Sequence, residues 1–178
     1  MRTDKNSGPS RTVRLSISGK QTDPEGNTQE NTALHHAICT ADGGGWLFTY
    51  MENGIPARLY ISRSLAWMER GDLHREDGSS RTEPAESLRG SGSSGAGESE
   101  SLRDSGGTRM VFDPALSAAR CMYETPFGRI PMLIRTEGIA LLGGKKQAAP
   151  FRLTARIRYT LRMDPDYTLT CAVTIRAV

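Results

Sequence analysis

Apolar and polar residues alternate with a period of two along most of this chain. The clearest stretch is near the C-terminus, where Phe151, Leu153, Ala155, Ile157, Tyr159 and Leu161 alternate with Arg152, Thr154, Arg156, Arg158, Thr160 and Arg162. Successive side chains of a strand point to opposite faces, so this segment has one apolar face and one Arg/Thr face. Leu169, Cys171, Val173, Ile175 and Ala177 repeat the pattern against Thr168, Thr170, Ala172, Thr174 and Arg176. Asp164-Pro165-Asp166 supplies turn residues between the two, which predicts a long β-hairpin.

Earlier segments follow the same plan. Val13, Leu15 and Ile17 alternate with Arg14, Ser16 and Ser18, and Asn31 to Thr40 reads as a second strand. A turn at Asp42 to Gly45 leads to a strand from Trp46 to Glu52, closed by Asn53-Gly54, a strong hairpin dipeptide. Strands are expected near Ala57 to Ile61, Leu65 to Arg70, Thr108 to Phe112, Ala118 to Glu124 and Ile130 to Leu142, with Pro131 marking an edge or a bulge. No segment has a convincing helical period. Eight to ten short strands with turns between them predict an all-β sandwich or antiparallel barrel. Closure into a barrel is favoured because it removes exposed edges.

The segment from 72 to 107 breaks the pattern. Between Ser87 and Gly107, Gly and Ser make up 13 of 21 residues. Such a stretch buries too little apolar surface to offset its chain entropy. The expected organisation is a loose polar tail over 1–11 and one β-barrel domain over 12–178, interrupted by a disordered insert at 72–107. The insert holds eight acidic and four basic residues, a net −4, so the overall charge of +3 leaves +7 on the rest of the chain.

Composition narrows the functional classes. No run of about 18 apolar residues exists, so no membrane-spanning helix is expected, and residues 1–11 have no apolar core of a secretory signal. Cys39, Cys121 and Cys171 are odd in number and show no C-x-x-C spacing, which reads as buried reduced thiols in a cytoplasmic protein.

The order of several motifs resembles a known family. Tyr123-Glu124-Thr125-Pro126-Phe127-Gly128, followed by Ile130, Met132 and Thr136, is similar to the central signature of the YwiB-like bacterial family. Tyr50-Met51-Glu52 resembles its Tyr-x-Glu strand end, Met68-Glu69-Arg70-Gly71 its Met-Arg-x-Gly, and Arg109-Met110-Val111-Phe112 its Met-x-Phe strand. The resemblance spans about Val13 to Arg176 without the insert. It implies a calycin-like, lipocalin-like antiparallel barrel of about eight strands and no assigned activity. One departure stands out: Glu69 occupies the place of the family's Arg, and Arg70 follows one position later.

Candidate chemistry is sparse. His35 and His36 are adjacent, so on a strand they point opposite ways and cannot share a metal ion; no metal site and no cofactor are expected. Cys121 has no recognisable base nearby and reads as a small buried hydrophobe. Gly43-Gly44-Gly45 and Gly143-Gly144-Lys145-Lys146 lead into no helix, which makes them hairpin turns rather than phosphate loops. Trp46, Phe48 and Tyr50 share one strand face and are expected to fill the barrel. Tyr50, Glu52, Tyr123, Thr125 and Arg129 form the expected ligand-binding set at one barrel end. Arg152, Arg156, Arg158 and Arg162, extended by Arg14 and Arg176 if their strands are neighbours, form the alternative, a surface for RNA or another polyanion.

Three readings follow. First is a non-enzymatic barrel that binds a small amphipathic molecule inside. Second is polyanion or RNA binding by the Arg face. Last is an enzyme, for which no catalytic constellation is visible. The oligomeric state is open.

Overall fold

Each alternating segment forms a strand, and the strands join into one sheet. The computed structural model describes residues 10–71, 107–125, 128–145, 149–164 and 166–178. In chain order the strands are β1 (Arg11–Thr22), β2 (Thr28–Asp42), β3 (Gly45–Glu52), β4 (Ile55–Ile61), β5 (Ala66–Gly71), β6 (Gly107–Phe112), β7 (Ala119–Thr125), β8 (Gly128–Gly143), β9 (Leu153–Asp164) and β10 (Tyr167–Ala177). Among the described residues there is no helix. The expected tail and most of the expected insert lie outside the described residues, although Arg11 already pairs with Cys39 in the first ladder.

Every ladder is antiparallel, in the order β6-β5-β4-β3-β2-β1-β10-β9-β8-β7. The chain thus meanders outward from β1 in one direction and returns through β10 in the other. The two terminal strands of that order, β6 and β7, lie against each other without joining the ladder, so the sheet curls into a nearly closed barrel. This is the barrel expected from the alternation, with the sandwich alternative set aside.

Local chemistry explains the turns. Asn53 (φ 52°) and Gly54 (φ 81°) both adopt positive φ, which a two-residue hairpin of the right twist demands. Pro131 lies where β8 pairs with β7 alone, before the β9 ladder begins at Leu133, so that side of the strand is an edge. A bulge between Thr136 and Gly138 absorbs one residue, Glu137, and lets the sixteen-residue β8 bend around the barrel.

Through the middle of the barrel the inward phase is apolar, with Thr136 the buried polar exception among the described residues. Phe48, Leu15, Ile61 and Ala155 have no accessible surface, and Trp46, Tyr50 and Tyr159 keep 5% or less. A hollow lumen wide enough for water would leave accessible surface on the residues lining it. The middle of the barrel is therefore filled by its own side chains, as small barrels often are. Ring contacts knit this packing: Trp46 meets Phe151 edge-on at 4.9 Å, and Phe112 meets Tyr159 at 4.8 Å.

The three cysteines are free and buried. Burial pushes the thiols of Cys39 and Cys121 up to about 11, and Cys171 upward as well. A thiol that ionises only at high pH is a poor nucleophile at neutrality. At pH 8 a thiol reagent such as Ellman's should leave the native protein unlabelled and modify three thiols after unfolding; rapid native labelling would contradict the packed interior. The same shifts set an alkaline limit. Folding raises Cys39 and Cys121 from 9.0 to about 11, so the unfolded chain loses its protons first. The stability these thiols contribute is fully present below about pH 9 and should be lost between about pH 9 and 11.

Candidate functional site

The strand order gathers polar groups in three places. The first is the barrel end that carries the Asn53–Gly54 turn. Here Tyr50 and Glu52 lie on the inward phase of β3, and Arg70 on the inward phase of β5, because Tyr50 pairs with Ala57 and Ala57 with Arg70. Arg70 Nε lies 3.2 Å from Glu52 Oε2, yet out of line for a hydrogen bond, so the buried Nε has no acceptor. Tyr50 is 4% exposed and its hydroxyl donates only to Met68 Sδ at 3.7 Å. Burial, then the Glu52 charge, push Tyr50 up to about 12, with Arg70 acting in the opposite direction. His35 packs its ring on Tyr50 at 4.6 Å, and its Nε2 is sealed without a partner.

Of the expected ligand set, then, the structure brings Tyr50 and Glu52 together. Tyr123 lies on the inward phase of β7 at the same barrel end, and is 40% exposed at the rim. Arg129 is paired with Glu124 in register and lies on the outward phase, opposite to that of Tyr123. Thr125 ends β7 opposite Gly128, and its side chain lies outside the described residues. His35 and Arg70 complete the group and were not in the expected set. Their inward phase was readable from alternation, but their proximity to Tyr50 depends on strand register.

The Glu69–Arg70 departure also has a structural reading. The β4–β5 ladder is regular, so no bulge shifts the phase. Glu69 faces outward, where Arg58 Nη2 meets it at 2.7 Å and Arg109 Nη1 at 3.3 Å. Both guanidinium groups also sit over Trp67, at 5.8 and 5.4 Å, and Trp67 stacks on Tyr60 at 5.7 Å. Glu69 thus bridges Arg58 and Arg109 beside an outward aromatic pair and offsets one of their two charges.

The second place is the outer face of β7 to β10 and β1. Arg156, Arg158 and Arg162 all point outward and are exposed, and Arg152 is exposed just before β9. β10 lies between β9 and β1, so the face continues: Thr154 pairs with Arg176 and Arg176 with Ser16. Arg14 joins through backbone hydrogen bonds to Val178, 2.7 and 3.1 Å long. The ladder adds two residues absent from the expected set. Arg135 is opposite Thr160, between Arg158 and Arg162, and Arg120 is in the same row as Arg162 through Leu133. Neighbours along one face are about 6.8 Å apart and strands about 4.8 Å apart. Among the described residues no carboxylate pairs with any of these arginines; Lys20 of β1 pairs with Glu30 of β2 at 3.0 Å. Hydroxyls of Ser16, Ser18, Thr154, Thr160 and Thr174 lie between the cations.

The third place is the opposite barrel end, where the two glycine turns of the sequence meet. Gly43 and Gly44 link β2 to β3, and Gly143 and Gly144 end β8; all four have positive φ. Together with the β4–β5 connection they border an open cleft of about 540 Å³. Gly43 and Gly44 lead directly into β3, in keeping with their reading as a turn, and Lys146 of the second glycine motif lies outside the described residues.

Comparison with known proteins adds a fold relationship. No family model and no curated protein matches the chain. Among solved structures, the crystal structure of the ywiB protein from Bacillus subtilis matches 95% of this chain and 93% of that one, with a TM-score of 0.60 and 12% sequence identity. The chain therefore shares the fold of the ywiB protein over nearly its whole length, the likeness that its Tyr-x-Glu, Met-x-Phe and central Tyr123–Gly128 motifs had suggested.

Proposed function

We propose that this protein is a nucleic-acid-binding barrel of calycin-like architecture, and that it grips the phosphate backbone with the Arg/Ser/Thr face of β7–β10 and β1. The observation that carries this reading is the set of outward arginines, 120, 135, 156, 158, 162 and 176, with no carboxylate partner among the described residues. Half-buried sheets do show polar outer faces, but a stability-neutral surface mixes both signs of charge. This one is dominated by positive charge, with exposed carboxylates at Asp164, the end of β9, and Glu137, the β8 bulge, and it carries donors of the two kinds that proteins use on phosphates, guanidinium and hydroxyl.

Binding is to the backbone rather than to bases. The outward ring pair, Tyr60 and Trp67, lies on β4 and β5, on the far side of the barrel from β9. Single-strand readers that stack bases need their rings beside the basic groove. Sequence preference should accordingly be slight.

The filled interior works against a ligand held deep in the barrel. A small molecule would reach only the rim at Tyr50, Glu52 and Arg70; Nε of Arg70 and Nε2 of His35 lack hydrogen-bond partners but are sealed from it. The chain acts as a binder, not a catalyst, in this reading. Its buried reduced thiols suit the cytoplasm. No helix among the described residues is long and apolar enough to cross a membrane.

Salt decides the matter. Fluorescence anisotropy with a single-stranded RNA homopolymer should give measurable affinity at about 50 mM salt. Affinity should fall with a log–log slope of roughly −3 to −4 if about five phosphates are neutralised, at about −0.7 per phosphate. Absence of binding at low salt, or binding indifferent to salt, would overturn the proposal.

A further inference from the structure

The cleft at the Gly43–Gly144 end has a property that neither the sequence nor the outer face accounts for. Trp46 is 5% exposed, held by Phe151 edge-on and by the Arg11 guanidinium 5.9 Å from its ring. An indole N–H so placed normally finds an acceptor. This one has none among the described residues, and it is not one of the sealed polar atoms. It opens instead on the cleft. A Cβ at Gly144 would stand 2.6 Å from Nε1, so the absence of a side chain there is what leaves the N–H uncovered.

Other donors border the same space. The Tyr60 hydroxyl, the Ser64 hydroxyl and the exposed Arg63 guanidinium all line the cleft and none has a hydrogen-bond partner among the described residues. Among the described residues no acidic one lines it; Asp42, beside Gly43, belongs to the strand and not to the lining. Leu141 and Leu65 supply an apolar wall. The lining therefore offers several donors without partners, the positive charge of Arg63 with no carboxylate beside it among the described residues, and one apolar side.

From this we infer that the cleft is a binding site for a small phosphate monoester with an apolar or aromatic body. Several donors arriving from different elements suit the three terminal oxygens of a phosphate better than the two of a carboxylate. Arg63 supplies the charge and Ser64 and Tyr60 hydrogen bonds. The Trp46 N–H marks the inner limit, and the organic part of the ligand lies along Leu141. The site is separate from the Arg face, and neither depends on the other.

The test uses the full chain with Trp67→Phe, which leaves Trp46 as the sole tryptophan while keeping a ring beside Tyr60. Titration with phenyl phosphate should give a saturable change in Trp46 emission, and calorimetry on the unsubstituted chain should return the same affinity. Arg63→Ala and Ser64→Ala, both at surface positions of the β4–β5 connection, should weaken binding, on the order of tenfold for Arg63. Trp46→Phe, followed by calorimetry, should weaken it as well. Arg156→Gln with Arg158→Gln should leave it unchanged. No saturable response by either method, undiminished binding in Arg63→Ala, or benzoate binding as tightly as phenyl phosphate would overturn the inference. Loss of RNA binding with phenyl phosphate binding intact would refute only the backbone-binding reading.

Discussion

Phe48→Ala should lower the stability of this protein by about 3–5 kcal/mol, as large-to-small changes do in a core that cannot collapse. Phe48 has no accessible surface and stands between Cys39 on β2 and Leu59 on β4, both at 2% or less. These neighbours belong to ladders fixed by backbone hydrogen bonds, so they can move little into the space a phenyl ring leaves. For a chain of this size, about 2–4 °C are lost per kcal/mol, which gives a fall in Tm of about 6–20 °C by circular dichroism. Leu34→Ala is the matched control. Leu34 is 69% exposed on the outer face of β2, and its truncation should stay within about 0.5 kcal/mol. The pair separates a filled barrel from a hollow one. If Phe48→Ala melted within about 2 °C of the parent, less than a single kcal/mol of core packing would produce, the interior would have to be loose enough to admit a ligand, and the small-molecule reading would regain its place.

The same filled interior was legible in the sequence for a simple reason. On a barrel strand the burial period and the sequence period are both two, so Trp46, Phe48 and Tyr50 announce their shared face without knowledge of any neighbour. The turn at Asn53–Gly54 and the final hairpin are local for the same reason. The functional surfaces are not local. Arg135 is part of the basic face because Arg135 is opposite Thr160, and the Glu137 bulge sets that register. Arg120 joins through two ladders, and Arg176 through one. Alternation told which way each of these side chains points, but only the strand order told which of them meet. Arg129 illustrates the converse: it is close to Tyr123 in sequence, yet the hairpin puts the two on opposite phases.

The partnerless Trp46 N–H lies further still from what a sequence can reveal. It depends on Gly144, at the end of β8, approaching a ring on β3, although the sheet order sets these strands far apart. Each glycine pair looks like an ordinary turn on its own, and each is one. Their shared cleft is a product of closure.

Charge placement on the outer face gives the second large effect. Arg156→Gln with Arg158→Gln removes two adjacent guanidinium groups from the centre of the basic face and alters net charge by two. If each makes a charge-assisted hydrogen bond of about 1.5 kcal/mol, RNA affinity at low salt should drop on the order of tenfold for each, a hundredfold together. The salt slope should also become shallower, by about 0.7 for each phosphate no longer neutralised. Thr49→Glu with Met51→Glu alters net charge by the same amount on β3, whose outer residues are on another side of the barrel; Met51 is 56% exposed. If the basic face is a site, the β3 variant keeps nearly the parent affinity and slope. If the chain attracts polyanions only through its net charge, both double variants weaken alike, because at a distance the two patterns differ little. Equal losses would therefore remove the face as a site while leaving the barrel as it stands, and unequal losses would place the RNA on β9.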